Sequence, residues 1–208
     1  MKMPEARSVL PRFVERSGTG YREYDPYSKL FEDRIIFLGC EINETSANDV
    51  MAQLVCLEYA DPDRDISLYI NSPGGSLTAL MGIYDTMQFV KPNVLTTCLG
   101  EAVSAAAVLL AGGTAGRRSA LPHARIVLHQ PFTQGQRGQI SDLQIQAEEI
   151  LRVRTELEEI LSVHTNRETT QIRTEIERDR VLTAKEALDY GLIDHIISPR
   201  ALSVAEAM

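Results

Sequence analysis

Segments typical of β-strands alternate with segments typical of α-helices along most of this chain, and this alternation constrains the fold more than any other feature. Short apolar segments rich in β-branched residues have the pattern of buried strands at 34–39, 66–70, 94–99 and 125–128. Apolar residues at helical spacing, or in one apolar run, predict helices at 43–60, 77–90 and 104–111. Strands and helices in alternation predict an α/β fold with a largely parallel sheet.

The two ends of the chain and one internal segment depart from this pattern. Residues 1–24 mix Pro, Gly, Arg and Glu with no sustained period, so we expect a flexible N-terminal arm. Residues 25–208 then form a single domain, which is long enough to bury a hydrophobic core. Inside this domain, the polar residues 132–138 predict a loop or a poorly packed strand, and a capping box at 141–144 begins a long amphipathic helix.

Composition and charge exclude several classes of function. The chain has 208 residues, of which 44% are hydrophobic and 24% are charged, and its formal net charge is −8 with no block of Lys and Arg. This balance argues against nucleic acid or an anionic membrane as the main partner. The longest apolar run, 102–113, is too short to span a bilayer, and the N-terminus has no apolar signal-peptide core. We therefore expect a cytoplasmic protein.

The cysteine and histidine spacings indicate neither a disulfide framework nor a metal site. The three cysteines have no C-x-x-C spacing and predict reduced core residues: Cys40, Cys56 and Cys98. No pair of histidines has metal-ligand spacing, and H-E-x-x-H is absent, so we expect no metal. The glycine-rich residues 112–118 lack the G-K-[ST] of a P-loop, so we expect no cofactor and no direct binding of ATP.

Three features with catalytic potential follow three predicted strands. Gly74-Gly75 follows the strand at 66–70, Ser104 follows the strand at 94–99, and His129 follows the strand at 125–128. Because ligand sites in open α/β sheets form at the carboxyl ends of the strands, we expect these features to lie close together. A histidine can remove the proton of a serine hydroxyl, and a Gly-Gly pair can offer backbone N–H groups to a developing oxyanion.

Each of these residues also has a simpler explanation. A serine that opens an alanine-rich helix is most often only an N-cap, and a histidine at a strand end is commonly a hydrogen-bonded structural residue. A Pro-Gly-Gly sequence is commonly only a turn. The pattern alone also does not select one acidic partner for His129, because Asp179 has Glu175, Glu177, Asp189 and Asp194 as neighbours.

Five sequence motifs show that the chain resembles the proteolytic subunits of the Clp protease family from Tyr24 to Ile197. They are 24–28 (YDPYS), 68–76 (LYINSPGGS), 100–104 (GEAVS), 128–131 (LHQP) and 178–183 (RDRVLT). The alanine-rich run after Ser104 is similar to that of actinobacterial members, which often have several paralogues. The resemblance implies a crotonase-like α/β core with a projecting handle at about 132–164.

The resemblance also implies a role for each site residue. Ser104 would be the nucleophile, His129 the general base and Asp179 the third member of a catalytic triad. The backbone N–H groups of Gly75 and Ala105 would form the oxyanion hole. Two charged residues match positions that the family uses for ion pairs between rings: Glu177 and Arg178.

An assembly follows from the same resemblance. The handles of family members join two heptameric rings into a tetradecamer that encloses a chamber, and the apolar stripe of the predicted long helix suits such a contact. The N-terminal arm, 1–24, would line the axial pore. A hydrophobic surface that includes Tyr69 would receive a hexameric Clp ATPase, which unfolds the substrate polypeptides.

These features predict a serine endopeptidase that hydrolyses peptide bonds inside such a chamber, and two alternatives stay open. One is a weakly active or structural ring subunit that requires a paralogue of the same family. The other is an acyl-CoA hydratase or isomerase on the crotonase-like core, a class that normally uses a carboxylate. Glu101 is the only feature that points to this second alternative.

Overall fold

The computed structural model describes residues 12–18, 20–131 and 139–197, which contain nine strands and seven helices. The strands are β1 (Phe13–Ser17), β2 (Gly20–Tyr24), β3 (Ile35–Leu38), β4 (Ile66–Ser72), β5 (Val94–Val103), β6 (Arg118–Ala120), β7 (Arg125–Leu128), β8 (Arg180–Thr183) and β9 (His195–Ile196). The helices are α1 (Pro26–Glu32), α2 (Glu44–Ala60), α3 (Leu77–Phe89), α4 (Ala105–Ala111), α5 (Ile140–Thr165), α6 (Thr169–Glu175) and α7 (Ala184–Tyr190). The predicted alternation of strands and helices is confirmed.

Seven of the described strands form one mixed sheet, in which nearly all neighbours are parallel. The main path is β3-β4-β5-β6-β9, and β7 pairs with β5 and with β8. Only β8 runs antiparallel, against β7, in a register that pairs Leu128 with Arg180. The predicted α/β fold with a largely parallel sheet is confirmed, with the antiparallel strand β8 as an addition that the sequence pattern does not show.

Strand β5 continues to Val103, so the predicted end of this strand near Gly100 is wrong. Its register with β4 shifts between the pairs Ile70–Cys98 and Ser72–Ala102, which indicates a bulge. Before the bulge β5 pairs with β6, and after it β5 pairs with β7. Gly100 lies inside this bulge, where a Cβ would come 2.5 Å from Asn71 Oδ1 and would displace that side chain.

The change of partner along β5 brings the ends of β5 and β7 side by side. Register pairs Ala102 with Ile126 and Val103 with Val127, and the next residues of the two strands are Ser104 and Leu128. Helix α4 begins directly after Ser104, and every one of its side chains is buried. Burial of seven small or aliphatic side chains removes apolar surface from water and makes α4 the centre of the hydrophobic core.

Helix ends agree only in part with the sequence pattern. Asn43 caps α2 through its side chain, and a reciprocal capping box joins it to Ser46. In α5 the predicted capping box at 141–144 is wrong by two residues. The helix begins at Ile140, and the capping pair is Gln139 with Asp142, whose carboxylate accepts from the Gln139 N–H at 3.3 Å. Asp142 is therefore the helix's third residue and not its first.

Strands β1 (Phe13–Ser17) and β2 (Gly20–Tyr24) pair antiparallel, which differs from the flexible arm that the sequence predicts. Gly20 has φ +147° at the start of β2, and the rings of Phe13 and Tyr24 stack at 6.2 Å. Lys29 of α1 connects to this pair of strands through Glu15, at 3.0 Å. The pattern gave no strand signal because side chains on both faces of the pair are exposed, so apolar and polar residues do not alternate. Residues 1–11 and the predicted loop at 132–138 lie outside the described residues.

The three cysteines do not share one environment. Cys98 on β5 is buried as expected, and burial, with the nearby charge of Glu101, raises the pKa of its thiol to about 12. Cys40 and Cys56 are exposed, so the expectation that all three lie in the core is wrong. Cys56 lies on the solvent side of α2, between the buried Leu54 and Leu57, and Cys40 follows the end of β3. All three thiols are free.

Candidate active site

Ser104 lies on a strained turn between β5 and α4. Its φ of 56° and ψ of −118° place a non-glycine residue in a region that disfavours side chains, at a cost of about 1–3 kcal/mol. Its N–H donates to the carbonyl oxygen of Val127 at 2.8 Å, and its carbonyl accepts from Ala107 N–H at 3.0 Å. The strand on one side and the buried helix on the other therefore hold this conformation.

The simple capping explanation for Ser104 does not fit the structure. Its side chain makes no capping hydrogen bond to α4, although the N-cap is the position at which serine normally makes one. The hydroxyl is thus not engaged by the helix that it precedes. The N–H of Ala105, the first residue of α4, has no acceptor within the helix, as at every helix start.

Two glycines before α3 fit closely against neighbouring backbone, Gly74 at the turn that carries Ser104 and Gly75 at Ile42. A Cβ on Gly74 would lie 2.3 Å from the Val103 carbonyl oxygen and 3.1 Å from Ser104 Cβ. A Cβ on Gly75 would lie 2.1 Å from the carbonyl oxygen of Ile42. Both residues have positive φ, 88° and 150°, which glycine adopts at little cost. Glycine at 74 thus allows the backbone to approach Ser104, and glycine at 75 allows it to approach Ile42.

The N–H of Gly75 does not take part in the hydrogen bonds of its β-bridge with Ile42. In the bridge between these two segments, Ile42 N–H donates to the Gly74 carbonyl at 2.8 Å, and Ser76 N–H donates to the Ile42 carbonyl at 2.7 Å. The bridge thus uses the residues on either side of Gly75. Gly75 and Ala105 therefore each have a backbone N–H that donates to no sheet or helix acceptor among the described residues.

His129 and Asp179 face one another at the ends of the antiparallel pair β7–β8. The register that pairs Leu128 with Arg180 places the preceding Asp179 beside the following His129. His129 Nδ1 and Asp179 Oδ1 are 3.3 Å apart. In the tautomer whose Nδ1–H donates to this carboxylate, Nε2 is the ring nitrogen that can accept a proton.

Ser104 and His129 line the same small cavity, of about 20 Å³. Apolar side chains form most of its wall, among them Leu77, Val108, Leu157, Leu161 and Ile176. An apolar wall lowers the local dielectric and strengthens any charge interaction inside the cavity. Glu101 is not among the lining residues, and its carboxylate lies 3.6 Å from Arg125 on β7. The structure thus brings Ser104 to His129 and directs Glu101 elsewhere.

The two predicted inter-ring residues lie next to Asp179 at the surface. The Glu177 carboxylate accepts from Arg154 Nη2 of the same chain at 3.1 Å, and its carbonyl accepts from the Gln130 side chain at 3.1 Å. Arg178 is exposed. Their role between rings stays a prediction. Sequence reasoning did not predict that Arg154 and Gln130 contact this segment. The sequence offers one signal for Gln130, its position directly after His129, and none for Arg154.

Two of the remaining histidines have structural partners. His164 Nε2 lies 2.9 Å from the Tyr84 hydroxyl, and burial together with the charge of Arg118 lowers the pKa of its ring. His195 Nε2 lies 3.2 Å from the Gly116 carbonyl oxygen. Arg118, in the glycine-rich segment 112–118, makes a bidentate ion pair with Asp194.

In the part of the chain that the structure describes, no helix is both long and apolar enough to cross a membrane.

An α/β sheet whose edge carries a strained serine, a histidine–aspartate pair and two backbone N–H groups without a partner among the described residues is an arrangement suited to acyl transfer. The sequence profile of the Clp protease family matches residues 17–200. The chain therefore belongs to the Clp protease family, whose fold is the crotonase-like α/β fold.

Relatives from several actinobacteria are similar to this chain over nearly its whole length. An ATP-dependent Clp protease proteolytic subunit 2 of Streptomyces coelicolor is 64% identical, with 95% of this chain and 91% of the relative covered. An ATP-dependent Clp protease proteolytic subunit 1 of Corynebacterium diphtheriae is 59% identical, with 98% and 97% covered. A subunit 1 of Thermobifida fusca is 57% identical, with 97% and 90% covered.

Proposed function

We propose that this chain is a proteolytic subunit of an ATP-dependent Clp protease, a serine endopeptidase that cleaves unfolded polypeptides. One observation carries the proposal. Ser104, strained and without a capping bond, shares an apolar cavity with His129, whose Nδ1 lies 3.3 Å from Asp179. A serine, a base and an acid that orients the base are the parts that nucleophilic catalysis of acyl transfer needs.

The proposed reaction uses each group in turn. His129 Nε2 takes the proton of the Ser104 hydroxyl as Oγ attacks the carbonyl carbon of the peptide bond. The oxyanion that forms is held by the N–H groups of Gly75 and Ala105. His129 then gives the proton to the amine that leaves, and the C–N bond breaks. Water, activated by the same ring, hydrolyses the acyl ester and restores Ser104.

Asp179 keeps the ring of His129 in the required tautomer and stabilises the imidazolium that forms during attack. Within this proposal the chain needs no metal and no cofactor of its own. ATP is used by a partner, a hexameric Clp ATPase that unfolds substrates and feeds them to the chamber. Two stacked heptameric rings would form that chamber, in the cytoplasm, with a role in protein quality control.

The surface of α5 supports an assembly of this kind. Its buried residues all come from the second half of the helix, where Leu157 and Leu161 meet the core. Large apolar side chains of its first half are exposed, including Ile140 at 86%, Ile145 at 66% and Leu151 at 61%. Exposed apolar side chains of this size mark an interaction surface, and a second copy of the chain is the occupant that the family resemblance implies.

Labelling with a fluorophosphonate tests the proposed nucleophile. We expect one covalent adduct at Ser104, identified by peptide mass spectrometry, and loss of both the adduct and peptide cleavage in Ser104→Ala. Ser141→Ala, at an exposed serine on α5, is the control and should label at the wild-type rate. Peptide cleavage that persists in Ser104→Ala would contradict the assignment. Turnover of an enoyl-CoA without serine labelling would instead favour an acyl-CoA enzyme.

A further inference from the structure

Helix α5 carries a buried carboxylate that the proposed reaction does not use. The side chain of Glu158 is 1% exposed, and two guanidinium groups contact it. Arg154, one turn earlier on α5, donates from Nε to Oε1 at 2.9 Å. Arg173 of α6 donates from Nη2 to Oε2 at 2.6 Å and from Nε to the same oxygen at 2.9 Å. Glu158 therefore fixes both guanidinium groups.

The carboxylate is ionised in this setting. Burial alone would raise the pKa of Glu158, but the hydrogen bonds and charges of Arg173 and Arg154 outweigh it and hold the pKa below its usual value. Moving either guanidinium group away would leave an uncompensated buried charge, so these contacts are costly to break. The direction in which the Arg154 side chain points is thus set by Glu158.

The remaining N–H groups of Arg154 reach the two segments that carry His129 and Asp179. Nη1 donates to Gln130 Oε1 at 2.8 Å, and Nη2 donates to Glu177 Oε2 at 3.1 Å. Gln130 directly follows His129, and Glu177 lies two residues before Asp179. A further bond, from Gln130 Nε2 to the Glu177 carbonyl at 3.1 Å, joins the two segments to each other. Arg154 therefore contacts both segments from α5.

Asp179 depends on its backbone for its position. Its side chain is 74% exposed, so packing does not hold it beside the ring. The backbone around it is held by the β7–β8 ladder on one side and by the bond from Gln130 N–H to the Ile176 carbonyl, at 2.9 Å, on the other. Arg154 adds the side-chain contacts on that second side, where the strand pairing has ended.

We propose that Arg154 is a positioning residue that keeps Asp179 within hydrogen-bonding distance of His129, and that Glu158 orients Arg154 for this purpose. The inference rests on the proposed function, since it assigns a residue to the same site. It adds the handle helix α5 to the parts of the molecule on which the reactivity of Ser104 depends.

The test compares two arginines of α5, Arg154, which contacts the segments next to His129 and Asp179, and Arg152, which pairs within its own helix. Arg154→Gln removes the positive charge and the guanidinium N–H groups that contact Glu158, Gln130 and Glu177. Arg152→Gln is the matched control, because the ion pairs of Arg152 among the described residues are with Glu149 and Glu156 of its own helix. We expect Arg154→Gln to lower kcat for a short peptide, and the rate of fluorophosphonate labelling, by about tenfold to a hundredfold with KM unchanged. Arg152→Gln should change neither, and Arg154→Lys should recover part of the loss.

Sedimentation of the same samples separates this effect from an effect on assembly. A slow Arg154→Gln variant in the wild-type oligomeric state supports the proposal. Labelling of Arg154→Gln at the wild-type rate overturns the proposal. A loss of activity that accompanies dissociation of the oligomer also overturns it. So does an equal loss of activity in Arg152→Gln. A wild-type chain that is not labelled contradicts the proposed function instead. A crystal structure of Arg154→Gln then decides this inference: a separation of Nδ1 and Oδ1 beyond hydrogen-bonding distance supports it, and an unchanged contact overturns it.

Discussion

His129 Nδ1 and Asp179 Oδ1 lie 3.3 Å apart, although the side chain of the histidine is 18% exposed and that of the aspartate is 74% exposed. His129, the proposed base, thus lies largely enclosed at the apolar cavity, while Asp179, the acid proposed to orient it, faces solvent. Water competes for the lone pairs of an exposed carboxylate, so this contact depends on how firmly the backbone of the 177–179 segment is held. The position of the Asp179 carboxylate is therefore the part of the proposed site that depends most on the surrounding backbone.

Asp179→Asn should lower kcat for a short peptide by about 10²-fold to 10⁴-fold. The amide can donate as well as accept, so it no longer requires the tautomer that leaves Nε2 free for Ser104. Initial-rate kinetics with a fluorogenic peptide give the measurement, and Asp189→Asn, at an exposed position of α7, is the control. If both variants keep full activity, Asp179 does not orient His129.

Gly75→Ala should reduce both activity and stability. The added Cβ would lie 2.1 Å from the Ile42 carbonyl oxygen, so backbone must shift, and the N–H proposed for the oxyanion hole moves with it. We expect kcat to fall by about 100-fold or more. Gly20→Ala is the matched control, since Gly20 has φ +147° but nothing lies within 4 Å of its added Cβ. Peptide cleavage and thermal unfolding of the two variants give the comparison, and equal behaviour would rule out the steric explanation.

Ser104→Gly should be more stable than Ser104→Ala, although neither should cleave peptides. Glycine adopts a φ of 56° and a ψ of −118° without the steric cost that a Cβ incurs. We expect a difference in the free energy of unfolding of about 1 kcal/mol or more, visible as a shift of a few degrees in Tm. Equal Tm values for the two variants would show that the turn stores no strain.

Glu158→Gln should destabilise the fold at neutral pH and matter less in acid. The folded-state pKa of Glu158 lies below its unfolded value of about 4.3, so its ionised form contributes fully above that pH. The contribution is lost as the pH falls through the folded-state pKa. We expect the variant to lose about 3 kcal/mol at pH 7, and the difference from wild type to shrink below about pH 4. Denaturant unfolding at several pH values measures it, and a difference that is independent of pH would contradict the assigned ionisation.

The sequence pattern predicts the sheet well where the structure depends on local periodicity. Strands β4, β5 and β7 are short apolar runs, and parallel strands bring their carboxyl ends to one edge, so Gly75, Ser104 and His129 are expected together. The capping signals of α2 also follow from sequence alone.

Features that depend on distant partners escape such reasoning. The continuation of β5 past Gly100 requires the contact with Asn71 and the change of partner from β6 to β7, neither of which leaves a periodic signal. Asp179 differs from its acidic neighbours only through the antiparallel pairing of β8 with β7, so the family motif was needed to select it. The contacts of Arg154 with Gln130 join residues far apart in the chain.

The exposed apolar side chains on the first half of α5 have a consequence for any experiment in dilute solution. If copies of the chain cover them, the native fold and the associated state share one equilibrium, and the measured stability rises with protomer concentration by mass action. Melting curves and specific activities are then comparable only between samples of equal concentration. A series of dilutions would report the strength of the association before any partner ATPase is added.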